Sequence, residues 1–188
     1  NFTAQEIKHI QKIKNYIQVY LQNVKKNTWS IIVPWENAFL SGGAIASLIQ
    51  NDLPKDFDIY FKDDPKIYDV LIKDFSLSIA NMQDQYTSTD VEDENGVPIK
   101  MVTSNAITMK NKTSFIFRMY GQPDVVKATF DYLHCTPHYD IATKQLHISK
   151  AQYIACLNKI LVVNNPNNQL AERTVKFLNR NYTFVKPE

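Results

Sequence analysis

Asp56 and Asp58 lie two apart in the run Lys55-Asp-Phe-Asp-Ile-Tyr-Phe61. In a β-strand, residues two apart point to the same face, so this run places both carboxylates on one side and Phe57 and Ile59 on the other. Two carboxylates on one rigid strand repel each other unless a cation lies between them. They suit a hard, oxygen-seeking divalent ion such as Mg²⁺ or Mn²⁺. Upstream, Phe39-Leu-Ser-Gly-Gly43 runs into a short apolar stretch of helical character. Gly42 and Gly43 have no Cβ, so a phosphate can approach their backbone closely. The free N–H groups and dipole of a helix that starts there favour an anion. A phosphate cradle followed by a two-carboxylate strand is the layout that metal-assisted nucleotidyl transfer requires.

These groups need elements to hold them. Residues 4–26 read as an amphipathic helix with Ile7, Ile10, Ile13, Ile17, Tyr20 and Leu21 at helical spacing, Thr3 as N-cap and Glu6 three residues on. An apolar run at 29–33 ends at Pro34, residues 38–40 form a strand, and 44–50 a short helix. Residues 56–61 are the acidic strand, and Asp64-Pro65 opens a helix to about 73. Strands are expected at 77–82, 98–103, 106–109 and 113–119, with an Asn95-Gly96 turn between the first two. A helix at 123–129 leads into a buried strand at 129–133, and helices follow at 149–159 and 169–181 around the loop Asn164-Asn-Pro-Asn-Asn168. The fold class is therefore α/β (α+β), a mixed sheet flanked by helices. The organisation is one domain over residues 1–188, with a helix at 4–26, a core at about 29–135 and a helical part at about 149–181.

A chain of 188 residues with 44% hydrophobic and 21% charged residues is long enough to bury a core without metal or disulfides. Its apolar runs are too short to span a bilayer, so no membrane partner is expected. The first 25 residues carry acids, amides and lysines, unlike a signal peptide, which points to the cytoplasm. The sequence starts at Asn1 rather than Met, so residues upstream of it are expected. A net charge of +2 does not mark a nucleic-acid binder by itself. Cys135 and Cys156 lack CxxC spacing and read as reduced thiols.

Gly42-Gly43, the short helix and Asp56-Phe57-Asp58-Ile59 resemble the signature of the DNA polymerase beta-like nucleotidyltransferase superfamily, most closely the head of CCA-adding enzymes and bacterial poly(A) polymerases. The resemblance implies a third carboxylate on a later strand, and Phe130-Asp131-Tyr132 is the best match. It further implies two-metal transfer of a nucleoside monophosphate from a nucleoside triphosphate to an RNA or protein hydroxyl. Asp56, Asp58 and Asp131 would be the catalytic and metal residues, with Asp131 assisting deprotonation of the acceptor. Ser41, Gly42 and Gly43 would hold the β- and γ-phosphates. On that scheme Asp131 converges with the other two from a neighbouring strand, with Phe130 and Tyr132 facing the opposite layer. A second resemblance rests on Ser104-Asn-Ala-Ile-Thr108, Phe117-Arg118, Gly121-Gln-Pro123, Phe130-Asp131, Tyr139-Asp140 and residues 170–184. It is to bacteriophage-encoded nucleotidyltransferase-like proteins, and implies a host-cytoplasmic location. One departure stands out: CCA-adding enzymes continue Gly-Gly-x-hydrophobic-Arg-Asp, and here those last two positions are Ala46 and Ser47.

Plainer readings compete at several positions. His134, Cys135 and His138 resemble a zinc pattern but lack a fourth ordered ligand, so a structural role is expected. Residues 90–94 read as a solvated acidic hairpin tip, and Lys55 and Lys62 as exposed lysines flanking the acidic strand. Arg173, Lys176 and Arg180 recur on one helical face, either as a solvated surface or as a contact for phosphate. Two rival functions remain. One is a catalytically inactive phage structural or assembly protein with virion partners, favoured by the loss at Ala46 and Ser47. The other is a toxin-like transferase acting on host tRNA.

Overall fold

A computed structural model describes residues 1–26, 33–66, 85–87 and 99–185. The helix α1 (Ala4–Lys25) starts in a capping box: the Thr3 hydroxyl accepts from the Glu6 N–H and the Glu6 carboxylate accepts from the Thr3 N–H. Strand β1 (Ala38–Ser41) leads into the short helix α2 (Gly43–Ile49), and β2 (Phe57–Phe61) returns antiparallel to β1. Four further strands follow, β3 (Gln85–Thr87), β4 (Ile99–Thr103), β5 (Ala106–Met109) and β6 (Thr113–Ile116). The helix α3 (Pro123–Lys127) precedes a 3₁₀ turn at Leu133–Cys135 and the hairpin β7 (His138–Asp140) and β8 (Gln145–His147). Helix α4 (Lys150–Leu157), strand β9 (Ile160–Leu161), helix α5 (Ala171–Asn179) and strand β10 (Thr183–Phe184) complete the described elements.

The central sheet has eight strands in the order β3-β4-β5-β6-β2-β1-β7-β8. Among the described strands of that sheet, β2 and β6 alone run parallel; β9 and β10 form a separate parallel pair. The sheet is thus mixed, as the sequence leads one to expect. One face carries the large core. Leu40, Phe57, Ile59, Phe61, Ile107 and Phe115 pack there against Ile13, Ile17 and Leu21 of α1, Ile45 and Ile49 of α2, and Tyr153 and Cys156 of α4. On the other face Phe39 and Tyr60 meet Val126 of α3 and the partly buried Phe130. A third cluster joins Tyr132 and Cys135 to Leu161, Phe177 and Tyr182.

Three expectations change. Residues 129–133 do not form a strand: Asp131 and Tyr132 lie in an irregular stretch, with one isolated bridge from Tyr132 to Val163, before the 3₁₀ turn. The hairpin β7–β8 and the ribbon β9–β10 stand where no strand is expected. The described residues 64–66 are not helical: Asp64 accepts from the Lys66 N–H at 2.9 Å, and Lys66 has φ +56°. The expected run at 29–32, helix at 67–73, strand at 77–82, Asn95-Gly96 turn and acidic tip at 90–94 lie outside the described residues.

The apolar stripe of α1 divides in two. Ile17 is fully buried, whereas Ile7 is 57% exposed because the first turns of the helix meet α4 through polar contacts. Glu6 pairs with Lys150, and His9 hydrogen-bonds the Tyr153 hydroxyl at 2.6 Å. Ile17→Ala is therefore expected to lower stability by about 2–4 kcal/mol through the cavity it leaves. Ile7→Ala should stay within about 0.5 kcal/mol. Urea unfolding of the two variants checks this, and equal losses would contradict the packing described.

Candidate functional site

The antiparallel register of β1 and β2 sets Ser41 opposite Asp58, so the chain leaves β1 directly above the acidic strand. Gly42 then turns it with φ +90° and ψ −154° and donates its N–H to the Cys135 carbonyl at 3.1 Å. That conformation is one that side chains rarely adopt. Space makes a second demand, since a Cβ on Gly42 would lie 2.9 Å from Asp58 Oδ2. Gly43 meets nothing within 4 Å at the Cβ position, so it leaves a gap facing open space. The two glycines thus have different reasons for being there.

That gap belongs to a cleft of about 420 Å³, the size of a small-ligand pocket. Its acids are Asp56, Asp58 and Asp131 and its bases Lys55, Arg173, Lys176 and Arg180; Gly42, Gly43 and Ser47 also line it, as do the aromatic Tyr60, Phe130 and Phe177. The sequence reading of Asp56, Asp58, Gly42 and Gly43 as one locale is matched in space. Arg173, Lys176 and Arg180 join them from α5 and its cap, and Lys55 is part of the cleft wall. Ser47, where CCA-adding enzymes have an acid, also faces the cleft, while Ala46 is core.

Two expected residues are placed differently. Ser41 is fully buried, and its hydroxyl donates to the Pro137 carbonyl at 2.8 Å, so it braces the turn instead of facing the cleft. Asp131 lines the cleft but does not come from a strand beside β2. The strand residues that flank Asp58 are serines, Ser41 on β1 and Ser114 on β6. Asp131 instead pairs with Arg173: Nε donates to Oδ2 at 2.7 Å, and the backbone N–H of Tyr132 donates to Oδ1 at 2.9 Å. The Asp131 side chain is 4% exposed and that of Arg173 43%. Tyr132 faces away into the third cluster as expected, but Phe130 stays at the cleft.

The loop Asn164–Asn168 holds this arrangement, a role that sequence reading misses. Asn164 donates its side-chain amide to the carbonyls of Lys127 and Phe130, Asn165 to Ala128, and Asn168 to Thr129, at 2.6–2.9 Å. The backbone N–H groups of Asn164 and Asn165 both reach the Asp131 carbonyl. A segment without regular structure has no ladder to satisfy its carbonyls, and the asparagines supply those donors. A cluster of four asparagines around one proline is the signal available in the sequence, and it reads there only as a loop.

Burial and like charges shift both kinds of group. The Asp58 carboxyl is pushed up to about 7, by burial first and then by Asp56, with Arg173 and Lys176 acting in the opposite direction. Lys176 is held below the ordinary lysine range by partial burial, then by Arg180, Arg173 and Lys55 around it, with Asp56 acting in the opposite direction. For a divalent cation, Asp56 and Asp58 are a suitable pair of oxygen donors with a mutual repulsion to relieve. Among the described residues no group of three or more His, Cys, Asp or Glu is close enough to hold a metal. The donor set fits one cation completed by water and substrate; the two-metal expectation lacks its third free carboxylate. The zinc pattern is likewise dispersed: the His134 ring is buried among Phe177, Tyr182 and Tyr132, and His138 stacks on His147 and bonds Lys127.

This fold matches that of known nucleotide-handling enzymes. A CCA-adding enzyme from Thermotoga maritima complexed with tRNA superposes with a TM-score of 0.51 at 10% identity, over 85% of this chain and 39% of its own. The apo form of a tRNA-processing enzyme gives 0.50 at 12% identity, over 86% of this chain and 44% of its own. The chain thus has a nucleotidyltransferase fold and spans less than half the length of those structures. No curated protein sequence matches it. By its sequence the chain belongs to the Gabija anti-defense 2 family, whose model matches residues 11–159. That span holds Gly42, Gly43 and the three carboxylates and ends before the basic wall on α5.

Because the folded state binds the Asp58 proton more tightly than the unfolded chain, it carries more protons between about pH 4 and 7. Stability without metal is therefore expected to fall as pH rises through that window and to stay reduced above it. Asp58→Asn removes the charge. In urea unfolding with chelator it should be near neutral at about pH 4 and stabilise by about 1–3 kcal/mol at about pH 8, allowing for solvent screening at the cleft mouth. A destabilised Asp58→Asn at both pH values would assign Asp58 a structural hydrogen-bonding role instead.

Proposed function

We propose that this protein binds a nucleoside triphosphate in the cleft and transfers its nucleoside monophosphate to an RNA or protein hydroxyl, releasing pyrophosphate, and that it does so to counter the Gabija defence. The observation that carries this reading is the mixed charge of the cleft. An acidic pair, Asp56 and Asp58, lines it together with Lys55, Arg173, Lys176, Arg180 and the Gly42-Gly43 turn. A polyphosphate bound with a divalent cation satisfies both sets of charge at once. The membership in an anti-defence family supports the biological role, and makes a bacteriophage source and a host-cytoplasmic location the natural proposal. No helix among the described residues is long and apolar enough to cross a membrane.

In this reading Asp56 and Asp58 hold Mg²⁺ or Mn²⁺, which when bound neutralises phosphate charge and polarises the reacting phosphorus. The open Cβ position of Gly43 lets the phosphates approach the backbone. With seven residues, α2 contributes little dipole, so the cationic side chains do most of the anion binding. The acceptor oxygen attacks the α-phosphorus, the bond to the pyrophosphate oxygen breaks, and the acceptor proton passes to water in the open cleft. Lys55, Lys176 and Arg180 offset the charge on the departing pyrophosphate. Phe130 and Tyr60 offer an apolar wall on which a base can rest.

A second reading, a catalytically inactive binder or assembly protein on the same fold, is favoured by one observation: Asp58 is flanked by serines and Asp131 is engaged by Arg173. Its partners would be virion proteins.

Calorimetry with Mn²⁺ and ATP separates the readings from each other and from no site at all. Wild type is expected to bind Mn²⁺–ATP, and Asp56→Ala/Asp58→Ala to lose the Mn²⁺ heat. Gly43→Val should fold normally and bind ATP at least about tenfold more weakly, because its side chain fills the open floor. Equal heats from all three proteins would end the proposal. Binding without release of pyrophosphate to any RNA or protein acceptor, including the defence proteins, would select the second reading.

A further inference from the structure

Asp131 is a poor ligand and a good anchor. Its side chain is nearly enclosed, and both oxygens already accept, Oδ2 from Arg173 Nε and Oδ1 from the Tyr132 N–H. Its backbone is fixed as well, since the Asp131 carbonyl accepts from Asn164 and Asn165. Arg173, by contrast, is only held at one edge. Nε bonds Oδ2 at 2.7 Å, while Nη2 makes a long contact of 3.4 Å to Oδ1 and one of 3.9 Å to Cys135 Sγ. The guanidinium lies over the Phe177 ring at 5.2 Å, and Arg173 lines the cleft with Lys55, Lys176 and Arg180. A guanidinium has five N–H donors in a rigid fork; with Nε and Nη2 engaged, the two N–H groups of Nη1 remain for a ligand.

We propose that Asp131 serves the cleft as the positioning residue of an anion-binding arginine, not as a metal ligand, and that Arg173 so held takes the polyphosphate tail of a nucleotide. Two features point to an anion there. The bases of the cleft outnumber its acids, four to three. Among the described residues only Arg173 of those four is ion-paired to a cleft acid, and Lys176 lies among Arg180, Arg173 and Lys55. A phosphate oxygen there relieves the repulsion between Lys176 and its cationic neighbours. Arginine also suits phosphate better than lysine where the geometry is fixed, because the fork matches two oxygens.

This inference rests on the nucleotide reading of the cleft but makes a different claim about Asp131. Simple charge counting says that removing a carboxylate beside an anion site tightens anion binding; the anchor role says the reverse. Two probes separate these, inorganic tripolyphosphate with chelator present and Mn²⁺ alone, each titrated by calorimetry into wild type, Asp131→Asn, Arg173→Gln and the double variant. Tripolyphosphate is expected to bind about tenfold more weakly to each single variant, and the double variant to be no weaker than Arg173→Gln by more than about twofold, since both changes remove one unit. Mn²⁺ should bind all four proteins within about twofold of each other. Asp131→Asn binding tripolyphosphate as well as or better than wild type overturns the proposal. So does Mn²⁺ binding that is lost in Asp131→Asn or tightened in Arg173→Gln, which would make Asp131 a metal ligand masked by Arg173. If Asp131→Asn fails to fold, the exposed-side variant Arg173→Gln decides through the same two readouts. Wild type that binds neither ATP nor tripolyphosphate removes the nucleotide reading and this inference with it. Wild type that binds both, alongside an Asp131→Asn that does so equally, removes this inference alone.

Discussion

The approach of Gly42 to Asp58 is the contact on which the rest of the site is built. Antiparallel pairing of β1 and β2 brings the end of one strand over the first turns of the other, and Ser41 opposite Asp58 fixes the register. Within that register a Cβ at position 42 would lie 2.9 Å from the carboxylate, closer than real Cβ contacts come. The glycine therefore lets the chain turn into α2 while the carboxylate stays at the cleft floor. The buried hydroxyl of Ser41 and the Gly42 N–H both bond the segment 135–137. The same turn that frames the acidic strand is thus tied to the residues leading into β7. A one-residue slip in the pairing would turn Asp58 into the core and Ile59 into the cleft, and burial of Ile59 against α1 and α2 opposes that.

The parts legible in the sequence are those governed by local pattern. Alternation in Asp56–Phe61 puts Asp56 and Asp58 on one face and Phe57 and Ile59 on the other; the two acids line the cleft and the two apolar residues lie in the core. The capping box at Thr3 and the helical stripe of α1 follow from short-range rules of the same kind. The segment around Asp131 escaped for a physical reason. Phe130-Asp-Tyr-Leu reads as a strand because its side chains are β-formers, yet its carbonyls find donors in asparagines more than thirty residues later and not in a neighbouring strand. Propensity carries no information about a partner at that distance. The hairpin β7–β8 was missed because its strands are three residues long and hold a single apolar pair, Tyr139 with Leu146, too short a run to read as alternation.

Resemblance placed the third carboxylate at the cleft but on the wrong kind of element. Phe130-Asp131 was matched to a strand that would lie beside β2, and the strands actually there present Ser41 and Ser114 to Asp58. Ser114 is engaged with Thr108 at 2.8 Å, so that side of Asp58 is a hydroxyl pair. The basic residues were read from helical spacing alone as a face of α5, which is correct, but only the fold reveals that this face closes the cleft.

The cleft also explains its own composition. Three acids and four bases in a pocket of about 420 Å³ could have neutralised each other in pairs, and a pocket built only for stability would do so, because unpaired charge near a low-dielectric wall is unfavourable. Only Asp131 and Arg173 are joined in this way. Asp58 instead takes a proton more readily than a free carboxyl, with Asp56 as its neighbour, and Lys176 gives one up more readily, with Arg180, Arg173 and Lys55 as its neighbours. Asp58 is left beside Asp56, and Lys176 among Arg180, Arg173 and Lys55. A ligand that brings both a cation and anionic oxygens relieves both repulsions together. Neither a lone metal nor a lone anion does, and this is why the paired charge of a metal–polyphosphate fits the cleft better than either component.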